Sequence, residues 1–119
     1  MKKETKSVNS IQIKVSNKDI AEIVGEVCSS SYGVLGLTKT RTLKSQIATI
    51  LNKDNYIEGI LIKKERSKYV IDVHVLVIYG VKISEVVNEL SKGIAYNLSK
   101  KYGPVFSKIN IYVEELRDL

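Results

Sequence analysis

Cysteine, histidine and proline each occur once in this chain of 119 residues, and each scarcity closes off a class of chemistry. A lone Cys28 forbids an intrachain disulfide, which suits a reducing cytosol. A lone His74 cannot assemble a metal site without further ligands at suitable spacing, and none stand near it. It also leaves a Ser-His-Asp system unsupported, and no serine sits in a Gly-x-Ser-x-Gly turn. The longest apolar run, residues 75–78, falls far short of the ~20 residues that cross a bilayer. The basic N-terminus leads into no apolar signal core, so secretion is not expected. No catalytic residue, cofactor or metal ligand is therefore expected, and the chain reads as non-enzymatic.

What is present is an ordinary globular composition, 44% hydrophobic and 27% charged. Such a length makes one domain that buries roughly two-thirds of its unfolded surface. Residues 11–116 are expected to form it, with 1–10 a flexible N-terminus and 117–119 a short C-terminal end. Net charge is +6, and dividing the chain before Gly59 gives 9 basic against 6 acidic residues, then 10 against 7. An excess spread this evenly argues against a basic tail and reads as a lysine-rich solvated surface. The alternative is long-range attraction to an anionic partner or membrane.

Periodicity supplies the elements. Ile11, Ile13 and Val15 alternate as a short strand. Ser16 and Asp19 mark a helix start, and Ile20, Ile23, Val24, Val27 and Cys28 keep helical spacing, which predicts a helix over 18–30. Gly25 within it points to close packing on the sheet. Leu43, Ile47, Ile50 and Leu51 suggest a second short helix over 42–53. Strands follow from Gly59 and from Tyr69 to Tyr79, joined by a turn at Arg66-Ser67-Lys68. Ile71, Val73, Val75 and Val77 define one face of the longer, central strand. A helix capped by Ser84 carries the stripe Ile83, Val86, Val87, Leu90, Ile94 and Leu98, and stops at Gly103-Pro104. A last strand alternates Val105, Ile109, Ile111 and Val113 with Lys108, Asn110, Tyr112 and Glu114. The order is β-α-(α)-β-β-α-β, a single α+β domain with helices packed on a mixed sheet.

Candidate sites are few. His74 and Asp72 read as structural or outward strand positions, and Cys28 as a small core hydrophobe. The basic hairpin bearing Lys63, Lys64, Arg66 and Lys68 reads first as a solvated turn. Its functional reading is docking on anionic headgroups, at ~1 kcal/mol per basic residue. Tyr112, on the outward face of the last strand, marks a candidate partner patch. Gly33-Val34-Leu35-Gly36, between two helices, raises an alternative: a KH-like module gripping single-stranded RNA through Gly33 and Gly36. The apolar Val34 and Leu35 favour a turn tucked under the core instead.

Several stretches together resemble a known family. They are Ile11-x-Ile13-x-Val15-Ser16-Asn17, Ser31-Tyr32-Gly33-Val34-Leu35-Gly36-Leu37, Gly59-Ile60-x-Ile62, Val77-Ile78-Tyr79-Gly80-x-Lys82-Ile83-Ser84-Glu85-Val86 and Asn110-Ile111-Tyr112-Val113. In order and spacing they look like the alkaline-shock-protein (envelope stress response) family of Gram-positive bacteria. The likeness is to its short YloU-like branch, including Leu43, Lys44, Leu51, Lys53, Asn55 and Tyr56. The resemblance implies a non-enzymatic cytoplasmic protein, held peripherally at the membrane only indirectly, through a partner. It implies protein partners in envelope stress or lipid homeostasis: a membrane anchor protein, a fatty acid kinase component, or a second copy in a homo-oligomer. It carries over no catalytic residues. The tail of longer relatives is missing here.

Overall fold

The computed structural model describes residues 16–40 and 48–118. The expected strand over 11–15 and the flexible segment 1–10 lie outside them. Helix α1 (Asn17–Ser30) starts where the Ser16 hydroxyl accepts from the Asp19 amide at 3.3 Å. It buries Ile20, Val24 and Cys28 at four-residue intervals. It ends in serines that turn back on its own carbonyls, Ser30 Oγ donating to Glu26 at 2.9 Å and Ser31 Oγ to Val27 at 2.6 Å.

Strand β1 (Val34–Leu37) follows at once. The segment expected as a helix–helix turn is thus an extended strand, because Val34, Gly36 and Leu37 pair with Val77, Leu76 and Val75. The second predicted helix is also corrected. Residues 41–47 lie outside the described residues, and 48–52 are not helical. Ile50 bridges to Thr38, and the Leu51 amide donates to the Leu37 carbonyl at 2.8 Å. Satisfying backbone groups beside β1 outweighed the helical spacing of Ile47, Ile50 and Leu51. A 3-10 helix, Lys53–Gly59, begins where the predicted helix was to close. Its Tyr56 ring fills the space above Gly25, where any Cβ would collide. The close approach expected of Gly25 is therefore to that ring, not to the sheet.

Strands β2 (Ile60–Glu65) and β3 (Lys68–Ile78) form the expected hairpin, with Arg66 in the left-handed region at φ 58°. Helix α2 (Ile83–Tyr102) crosses over to β4 (Phe106–Arg117), which pairs parallel to β3. The expected Ser84 cap is not used. The helix starts two residues earlier, with Lys82 as an N-cap lacking a side-chain bond, and the Lys82 carbonyl accepts from the Glu85 and Val86 amides.

β3 is the central strand of this mixed sheet. β4 lies along one edge, while β2 and β1 share the other, against the first and last halves of β3. Ile71, Val73, Val75 and Val77 face both helices and meet Leu90, Ile94 and Leu98 of α2 in one core, each fully buried. The helices run antiparallel: Gly93 packs on Val27, and Asp19 acts on Tyr102 at the far end of α2. The molecule is α+β, with two helices on one sheet face; the other face mixes Asp72 and His74 with the buried Val70 and Leu76.

Candidate interaction surfaces

Three surfaces carry the functional side chains: the sheet face away from the helices and the two ends of β3. On the sheet face, Asp72 is nearly buried yet fully partnered. Lys63 Nζ lies 3.3 Å from one of its oxygens, and Asn110 Nδ2 donates to the other at 2.9 Å. Burial alone would raise this carboxyl, but the Asn110 amide and the Lys63 ammonium outweigh it and hold the group below the usual carboxylate range. One pairing step along, His74 Nδ1 sits 2.6 Å from Glu114 Oε2, Nε2 sits 3.1 Å from Thr40 Oγ1, and the ring stacks on Tyr112 at 4.9 Å. Hydroxyl, imidazole and carboxylate stand in the order of a nucleophile relay. The cavities of about 360 and 410 Å³, however, are lined by other residues. What the cluster visibly does is tie β4 and the Thr40 segment to β3.

At the Lys68 end of β3 the hairpin meets the C-terminus of α2 and the start of β4. Lys68 Nζ donates to the Pro104 carbonyl at 2.7 Å, clamping hairpin to connection. Phe106 lies between Tyr69 and Tyr102, with ring centroids 5.8 and 6.3 Å away. Lysine ammoniums cap the neighbouring tyrosines: Lys64 at 6.0 Å over Tyr69, Lys100 at 5.3 Å over Tyr96, Lys101 at 5.5 Å over Tyr102.

At the Ile78 end, the Gly33 carbonyl accepts from the Ile78 amide at 2.8 Å. Gly33 holds φ 83° and packs so closely on Val86 that a Cβ would stand 2.7 Å from it. At this end Tyr32 is 84% exposed, Tyr79 is 65% exposed and Ile83 is also exposed. Between the turn and the first two turns of α2 lies a cavity of about 360 Å³, lined by Ser31, Tyr32, Lys82, Glu85, Val86 and Glu89. Lys82 and Glu85 pair across its rim at 3.3 Å.

The structure scatters the residues expected as a basic patch. Lys63 turns to the sheet face and Asp72, while Lys64, Arg66 and Lys68 stay at the hairpin end. Tyr112 is on the outward face, 44% exposed and stacked on His74. Gly33 and Gly36 do not form a phosphate-gripping loop, since Gly36 sits inside β1 with Ile50 against its bare side. Sequence reading missed Lys100, Lys101 and Lys108 as companions of the hairpin, and Tyr32, Tyr79 and Ile83 as a patch. A signal for the patch did exist: two of the stretches quoted for the family resemblance meet there.

Among the described residues no group of three or more His, Cys, Asp or Glu could hold a metal ion. Burial pushes the Cys28 thiol up to about 12, so it stays protonated and inert. No described helix is long and apolar enough to cross a membrane.

Comparison with known proteins adds the following. The profile of the alkaline shock protein 23 family, described as having a cell envelope-related function, matches residues 5–117. The "Uncharacterized protein YloU" of Bacillus subtilis (strain 168) is 32% identical over 106 residues, covering 89% of this chain and 88% of that protein. The "Uncharacterized protein Spy1614" of Streptococcus pyogenes serotype M6 is 30% identical over 105 residues, covering 88% of this chain and 87% of its own. Among solved structures, "MamM CTD H264E" shares 9% identity at a TM-score of 0.49, covering 84% of this chain and 95% of its own.

Proposed function

This chain belongs to the alkaline shock protein 23 family, whose function is cell envelope-related, and on that premise we propose that it is a non-catalytic interaction protein that engages protein partners at its tyrosine end. One observation carries the reading: Tyr32 and Tyr79 stand 84% and 65% in solvent, each next in sequence to a partner of the Ile78–Gly33 backbone bond, and Tyr32 lines a cavity. Aromatic side chains bring large contact area at low entropic cost and are enriched at interface cores. A monomer gains little from holding two tyrosines in water, whereas a partner that covers them gains their full apolar surface.

The partners in view are a membrane anchor protein, a fatty acid kinase component and a second copy of the chain, in envelope stress or lipid homeostasis. The test places a photo-crosslinking side chain at Tyr79 of the full chain in native cells and identifies the adducts by mass spectrometry. Discrete protein adducts that fall at least about tenfold with Tyr32→Ser are the expected result, the loss of one interface anchor being worth a tenfold or more. Recovery of monomer alone, in cells and at high concentration in vitro, overturns the reading.

A further inference from the structure

We propose that the Lys68 end of the molecule is a direct docking site for an anionic phospholipid surface, independent of any protein partner. The cations come from three elements far apart in sequence. Lys64, Arg66 and Lys68 belong to the hairpin, Lys100 and Lys101 to the last turn of α2, and Lys108 to the start of β4. All six are exposed, and none is in an ion pair among the described residues. Of the other described cations, Lys39, Lys53, Lys63, Lys82, Lys92 and Arg117 each pair with a carboxylate, and Lys18, next to Asp19, stands outside any ion pair. Against the six stand Glu65 and, from the start of α1, Asp19. Six of the seven described cations that stand outside an ion pair are thus gathered at one end.

The rings decide what kind of polyanion fits. Single-stranded nucleic acid needs open ring faces on which bases stack, along a groove that follows the backbone. Here the Tyr69, Tyr96 and Tyr102 faces carry the Lys64, Lys100 and Lys101 ammoniums, and Phe106 is wedged between its neighbours. A lipid surface asks for something else: flexible cations reaching phosphates, and amphipathic tyrosines at headgroup depth. Tyr96, 64% exposed beside Lys100, is placed for the second role. Each basic residue near such a surface strengthens binding about fivefold, so this cluster binds reversibly rather than anchoring permanently.

The test is co-sedimentation of the purified full chain with phosphatidylcholine vesicles, with and without roughly a third phosphatidylglycerol, from roughly 0.05 to 0.5 M salt. Binding to the anionic vesicles alone, lost as salt rises, is expected. Lys100→Gln with Lys101→Gln should weaken it about 25-fold and Arg66→Gln about fivefold. Lys82→Gln, at the other end, should leave it unchanged, and thermal unfolding checks that every variant folds. Absence of binding at low salt, equal binding to neutral vesicles, or indifference to the double substitution overturns the proposal. Tighter binding of a single-stranded RNA that displaces the vesicles, with the same sensitivity to Lys100 and Lys101, also overturns it, in favour of a nucleic-acid site. No protein partner is present, so failure here leaves the partner-binding reading standing, and the reverse holds.

Discussion

At the Lys68 end of β3 the aromatic rings pack on one another and lysines lie over their faces; at the Ile78 end Tyr32 and Tyr79 stand in water, Tyr32 in one cavity lining with Glu85 and Glu89. The same residue type does opposite work at the two ends. Tyr69 and Tyr102 finish the core, and the charge rests on top of them. Tyr32 and Tyr79 stand mostly in solvent, next to a Gly33 that lies close on Val86. The contrast teaches that this fold is polarised along its strands. β3, β4 and both helices run its length, so residues 30 or more apart in sequence share an end.

Leu90→Ala gives the largest expected effect and tests what the ends have in common. It empties a fully buried position under both, costing about 3–5 kcal/mol in chemical denaturation. Loss at one end with the other intact would show that they do not share a core. Asp72→Ala comes next. It strands Asn110 and frees Lys63 midway between the ends, costing about 1–3 kcal/mol. Its carboxyl is held low in the folded state, so its contribution is complete above the ordinary carboxylate range and fades as pH falls through the folded value. Unfolding measured from pH 7 down to about 3 should show a smaller acid-side loss in Asp72→Asn than in the parent. Gly33→Ala is smallest, about 1–2 kcal/mol, from a left-handed backbone and the contact with Val86. It sharpens the comparison: crosslinking at Tyr79 should drop while vesicle binding stays as it was.

How much of this could be read from the residues follows the range of the interactions involved. Ser16, Ile20, Val24 and Cys28 announce α1 because cap and stripe are local, and Ile71 to Val77 announce β3 because alternation is local. Ile50 and Leu51 misled because their spacing is helical while their backbone partners, Thr38 and Leu37, lie more than ten residues away. Ser84 misled because a good capping residue does not compete when the chain already turns at Lys82. Charge counted by halves looked even, since the two ends divide the molecule in a direction the sequence does not run. Of the expected site, Lys64, Arg66 and Lys68 stayed together, Lys63 was drawn off by Asp72, and Lys100 and Lys101 joined only through the crossover of α2.

The parallel register of β4 on β3 extends from Tyr69 and Phe106 to Ile78 and Arg117. Eleven residues of extended chain make a strut of about 36 Å, and its rungs lie across the line joining the two ends. Tension applied between those ends would load the rungs together in shear rather than unzip them singly. Whatever grips one extremity of this protein is thereby kept at a constant separation from whatever grips the other.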